Sequence, residues 1–199
     1  MNKWKILSFV LFLTSTSLLF FVLNQKETFR SQFKSFVDGY SEMIDTFIFY
    51  KTNYEFFKLT GEKTNDVVCK HNNDSILLSK LINQKPILIF SFSDKTCNSC
   101  IDELLIYLQK FFFREYDKIM ILSSHKNDMN YYMFLQSNNI RFPSFQISYD
   151  AFEWIHADFS EPFFFLLYPD MKISNIYVPN KAYPEMNKQY LEGIKRLLN

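Results

Sequence analysis

Cys97 and Cys100 are separated by Asn98 and Ser99. That spacing lets one sulfur close a ring with the other, or attack a mixed disulfide that the other has formed. The surrounding chain sharpens the chemistry. The pair follows an apolar run, Pro86 to Phe92, and opens a periodic stretch from Ile101 to Phe113. Strand, short loop, dithiol and helix therefore succeed one another. At a helix N-terminus the unpaired N–H groups and the positive end of the macrodipole favour a thiolate. Zinc knuckles use the same spacing, but this context favours redox chemistry. Cys69 reads as a small buried residue on a strand. Its alternative is a tetrahedral zinc set of Cys69, His71, Cys97 and Cys100. His125 and His156 have no partner in the pattern and read as surface or satisfied core residues.

Composition narrows the function classes. A chain of 199 residues holds one ordinary domain plus an extension. A net charge of +1 and the lack of a basic cluster argue against nucleic acid as a partner. Twenty-four Phe and twelve Tyr against three Gly supply ample core material and few tight turns. Three cysteines exclude a dense disulfide scaffold. There is no Gly-rich phosphate loop and no Ser/His/Asp arrangement, and no cofactor is expected.

The elements ahead of the dithiol fall into two segments. Residues 1–24 contain an uncharged stretch, Ile6 to Leu23, after Lys3 and Lys5. As a helix it would span roughly 27 Å, close to the hydrocarbon thickness of a bilayer. A signal peptide would instead use Ile6 to Leu13 and be cut near Thr14 to Ser17. The apolar run continues through Leu18 to Leu23, which favours an uncleaved transmembrane anchor with the remaining domain facing the periplasm or cell exterior. Residues 25–62 form an amphipathic helical linker. Phe29, Phe33, Phe36, Tyr40, Met43, Phe47, Tyr50, Tyr54 and Phe57 alternate spacings of four and three. This stripe suits a helix lying on its own domain or the membrane surface, or a dimer stalk, although Phe and Tyr are unusual seam residues. A strand over Thr46 to Tyr50 is the competing reading.

Residues 63–199 read as one α/β domain. Val67 to His71 and Ser75 to Leu78 flank a turn and predict a hairpin. A strand from Ile87, the dithiol helix, a strand over Lys118 to Ser124 and a helix from about Asp128 to Asn138 follow. Phe163 to Tyr168 and Ile173 to Val178 predict a second hairpin, and Glu185 to Leu198 a closing amphipathic helix. Strands alternating with helices and ending in a hairpin give a mixed sheet.

Over about residues 66 to 198 the chain resembles the thioredoxin-like thiol–disulfide oxidoreductases, and within them the membrane-anchored TlpA/ResA-like group. The resemblance rests on Ile87 to Phe92 leading into Cys97-Asn98-Ser99-Cys100, on Glu103, on Glu161-Pro162-Phe163-Phe164-Phe165-Leu166, and on the Cys69 to Leu78 hairpin followed by Leu78 to Leu81. It implies a central mixed sheet flanked by helices. The partners implied are disulfide-containing or dithiol client proteins and a redox partner, with the membrane met through the N-terminal helix.

The resemblance also assigns roles. Cys97 would be the attacking thiolate and Cys100 the resolving thiol. Glu103, on the same helix face as Cys100, would accept its proton, or be a solvated carboxylate. Pro162 would be a cis-proline opposite the cysteines, presenting the Glu161 backbone to an extended client, with an ordinary trans-proline as the alternative. Thr96 would border the client surface. Thr96 and Ser99 stand where the family often has Trp and Pro, Ser91 replaces a buried acidic or amide residue, and Glu161 replaces a small or β-branched one. A Glu161 carboxylate beside Cys97 would disfavour the thiolate and make the dithiol more reducing. The implied activity is thiol–disulfide exchange outside the cytoplasm, reducing rather than oxidising. A redox-inactive adaptor on the same fold is the alternative.

Overall fold

The computed structural model describes residues 27–41, 43–44, 46–47, 49–51, 53, 58–72, 74–82, 84–152 and 161–199. These divide into two units, one ending at Tyr50 and the other beginning at Lys51. Among the described residues no helix is long and apolar enough to cross a membrane. The Ile6–Leu23 segment lies outside them.

In the first unit, helix α1 occupies 27–41, and helical backbone recurs at 43–44, 46–47 and 49–50. The alternating spacing of apolar residues is thus helical, and the described part of Thr46 to Tyr50 is not a strand.

The second unit is built on one seven-stranded sheet in the order β2-β1-β5-β4-β3-β6-β7. Its strands are β1 (Val68–His71), β2 (Asp74–Leu77), β3 (Ile87–Ser93), β4 (Ile119–Ser124), β5 (Ser144–Gln146), β6 (Phe163–Leu167) and β7 (Ile173–Tyr177). The helices are α2 (Leu78–Leu81), α3 (Asn98–Phe111), α4 (Asp128–Ser137) and α5 (Pro184–Leu198). β3 runs parallel to β4 and antiparallel to β6, so it lies inside the sheet. Every residue of β3 is buried, Ser91 and Ser93 included, because both faces of the strand are covered.

Side chains alternate across β3. Ile87 and Ile89 join one core with Cys69, Leu78, Phe152, Phe163 and Phe165. Phe90 and Phe92 take the other face. Phe90 stacks on Phe164 with ring centroids 4.6 Å apart, and Phe164 meets Tyr190 of α5. Phe92 meets Phe134 of α4 at 5.0 Å. This anchoring of helices over β3 fixes where its C-terminal end delivers the dithiol.

Within the second unit the expected hairpins, strands and helices are present. The sequence reading missed β5, three residues directly after Pro143 that pair parallel to β4. A strand so short carries no readable alternation.

Candidate active site

β3 ends at Ser93, and four residues later the chain enters α3 with Cys97 as its N-cap residue. The loop between is pinned to the ends of neighbouring strands. The Asp94 N–H donates to the Ser124 carbonyl at 2.9 Å. Its carboxylate accepts from the Lys126 N–H at 2.8 Å and from the Tyr149 hydroxyl at 2.6 Å. Burial pushes the Asp94 carboxyl up, but the Tyr149 and Lys126 hydrogen bonds outweigh it and leave it below its ordinary value. Thr96 is buried, its N–H donating to the Ser93 carbonyl at 3.0 Å and its Oγ1 accepting from the Ser93 N–H at 3.3 Å. Thr96 therefore shapes the loop from inside. This departs from its expected place on the client surface, because Ser93 occupies its hydroxyl.

All three cysteines are free thiols. Cys97 is exposed and Cys100, one turn into the helix, is half-buried. The Cys100 and Ile101 N–H groups both donate to the Cys97 carbonyl, at 3.1 and 3.2 Å. Ser99 Oγ lies 3.1 Å from Cys97 Sγ. The Ser99 hydroxyl is the largest influence on Cys97, followed by the Cys100 N–H and thiol, and together they lower its pKa to about 7. Cys100 moves the other way: burial raises its pKa, the neighbouring Cys97 sulfur adds to the rise, and Lys181 partly opposes it. The two sulfurs thus have different acidities, as an attacking and a resolving thiol require.

The β3–β6 register pairs Ser91 with Phe163. Continuing it carries Pro162 and Glu161 to the end of the sheet where β3 delivers the dithiol. Pro162 is buried and Glu161 exposed. No cis peptide bond occurs among the described residues, so the Glu161–Pro162 bond is trans, contrary to the expectation. Trans is the favoured isomer, and a proline just before a strand gives up no ladder hydrogen bond. The leading influences on Cys97 come from within its own motif rather than from Glu161. Glu103 accepts from the Tyr107 hydroxyl, one turn further along the same helix, at 2.9 Å. Among the described residues the buried Ser91 hydroxyl has no hydrogen-bond partner.

Cys69 is fully buried, and desolvation pushes its thiol up to about 12. His71 Nδ1 pairs with the Ser144 carbonyl at 3.0 Å. Among the described residues no group of three or more His, Cys, Asp or Glu could hold a metal ion, so the zinc set is not assembled. His125 is a satisfied core residue, its Nε2 3.2 Å from Ser123 Oγ and its ring against Tyr131. His156 lies outside the described residues. The sequence reading missed the Ser99 hydroxyl as a thiol partner, the Lys181 charge and the Asp94–Tyr149 hydrogen bond. Ser99 was legible from its spacing to Cys97. The other two depend on contacts between distant parts of the chain.

No family model matches the sequence, and no curated protein matches it. Solved structures do match the fold. A thiol:disulfide interchange protein from Bacteroides sp. aligns with a TM-score of 0.53 at 14% identity, covering 70% of this chain and 90% of that one. The thioredoxin domain of a thiol-disulfide oxidoreductase from Bacteroides vulgatus gives 0.51 at 13%, covering 70% and 98%. An uncharacterized thioredoxin-like protein from Porphyromonas gingivalis gives 0.50 at 18%, covering 70% and 93%. The chain has a thioredoxin-like α/β fold.

Proposed function

We propose that this chain is a thiol–disulfide oxidoreductase that reduces disulfides in protein clients outside the cytoplasm, held to the membrane by Ile6 to Leu23. The carrying observation is an exposed Cys97 with its pKa lowered to about 7, hydrogen-bonded by Ser99 at the start of α3 and followed by a half-buried, less acidic Cys100. The activity named for two of the fold's neighbours is of the same class. The β1–β2 hairpin at the start of the domain supports the finer placement in the membrane-anchored TlpA/ResA-like group.

In the proposed reaction the Cys97 thiolate attacks one sulfur of a client disulfide. A mixed disulfide forms and the other client sulfur leaves as a thiolate. Cys100 then loses its proton, a change the nearby Lys181 charge favours. Its sulfur attacks Cys97 Sγ and releases the second client thiolate. Two electrons have passed to the client, and the protein is left with a Cys97–Cys100 disulfide for a partner dithiol to reduce. Glu161, exposed beside Pro162, lies at this end of the sheet, where its backbone would meet an extended client. The reducing direction rests on acidity: thioredoxin, a reductant, keeps its attacking thiol near roughly 7, whereas the strong oxidant DsbA holds it near roughly 3.5.

Reduction of insulin, followed by precipitation of its chains with a thiol regenerant, tests the reading. The protein should accelerate precipitation and Cys97→Ser should abolish the acceleration. Client binding without turnover would replace the reading with an adaptor on the same fold.

A further inference from the structure

The first unit carries a feature that dithiol chemistry leaves unused. Phe29, Phe33, Phe36, Tyr40, Phe47 and Tyr50, with Met43 between them, stand 55–69% exposed on helical backbone. Their rings already align along the helix: Phe29 stacks on Phe33 with centroids 6.3 Å apart, and Phe36 on Tyr40 at 6.4 Å.

The period of this stripe indicates what covers it. Spacings of four and three repeat every seven residues, whereas a straight α-helix turns once in 3.6. A seven-residue stripe therefore drifts around a straight helix by ~20° per heptad. Over the heptads from Phe29 to Tyr50 the drift reaches about 60°, which carries one end of the stripe away from a flat lipid surface. The left-handed supercoil of two helices cancels the same drift.

Charge and area agree with that partner. In a parallel pair, Gln32 would face Val37 and Gly39 would face Ile44, so no like charges meet within the stripe from Phe29 to Tyr50, and Lys26 would meet its own copy only ahead of it. Lys34 and Asp38 lie off the aromatic seam, while Arg30 flanks it at the same position as Val37 and Ile44 and would face Gln25. Side chains of about 200 Å² each, exposed to this degree, offer on the order of 800 Å² per chain. A standard stable interface uses about that much from each partner.

We propose that the stripe is the seam of a parallel, in-register homodimer of this chain. Parallel pairing is also the arrangement available to two chains whose N-terminal apolar runs enter one bilayer.

The test uses full-length protein in liposomes with Cys97→Ser and Cys100→Ser as background. Phe36→Cys, on the seam, should form an intermolecular disulfide several-fold faster on oxidation than Asp38→Cys, on the opposite face. In detergent, the parent chain with Cys97 and Cys100 intact should sediment as a dimer. Phe33→Glu with Tyr40→Glu should make it a monomer while leaving the Cys97 alkylation midpoint unchanged. Equal crosslinking at the two positions, a monomeric parent chain or a dimer that survives the double substitution would overturn the proposal. So would a monomer whose Phe36→Cys thiol is shielded by lipid, which would assign the stripe to the bilayer surface.

Discussion

Ser99 Oγ stands 3.1 Å from Cys97 Sγ, and this hydroxyl does more than any other group to make Cys97 acidic. The helix-terminal N–H groups assist it. Ser99→Ala should therefore move the alkylation midpoint of Cys97 from about 7 towards the free-thiol value of ~8.5. The sign follows from the charged form: the hydroxyl donates to the thiolate, so its loss favours the protonated thiol. Reactivity at neutral pH should fall, and Ser99→Thr should restore it. Thiolate ultraviolet absorbance against pH measures the midpoint.

The unequal exposure of the two sulfurs predicts which one holds a client. With Cys100→Ser, Cys97 can attack but nothing resolves the product, so mixed disulfides should accumulate on non-reducing gels. Cys97→Ser should abolish them. Trapping through Cys69 would contradict the assignment, because that thiol is buried and its pKa is pushed up to about 12.

The hydrogen bond from the Tyr149 hydroxyl to Asp94 should contribute to stability in a pH-dependent way. Tyr149→Phe should cost on the order of 1 kcal/mol in denaturant unfolding at neutral pH, a value reduced by the partial exposure of the pair. Asp94 has a lowered pKa in the folded chain. Its contribution is therefore present above the unfolded carboxylate value of ~3.9 and is lost as pH falls through the folded one. The difference between parent and variant should shrink in acid.

How much of this was legible in the sequence depended on whether the cause was local. The mostly apolar run from Ile87 to Phe92 announced a strand, and the step from that run into Cys97 announced a helix-terminal dithiol. Phe163 to Leu167 was readable for the same reason. β5 was not, because three residues after a proline carry no period. Thr96 looked like surface from its place beside Cys97, yet the turn back to Ser93 buries it. Glu103 was placed by its spacing to Cys100, and the Tyr107 hydroxyl one turn further on, which also bonds its carboxylate, was not foreseen. Pro162 had the expected neighbours and the trans bond. Lys181 reaches Cys100 only through the packing of the sheet and its helices.

The membrane assignment has its own test. If Ile6 to Leu23 spans the bilayer, the intact protein should remain in the membrane fraction after an alkaline carbonate wash. A soluble product beginning near Leu18 would show that the segment is a cleaved signal.

The reduction potential of the Cys97–Cys100 pair tests the proposed activity most directly. Equilibration with glutathione or dithiothreitol mixtures should give one reversible two-electron couple near the ~−270 mV of thioredoxin. A couple close to the ~−120 mV of a strong disulfide donor would contradict the reducing role, and no reversible couple at all would contradict the exchange chemistry itself.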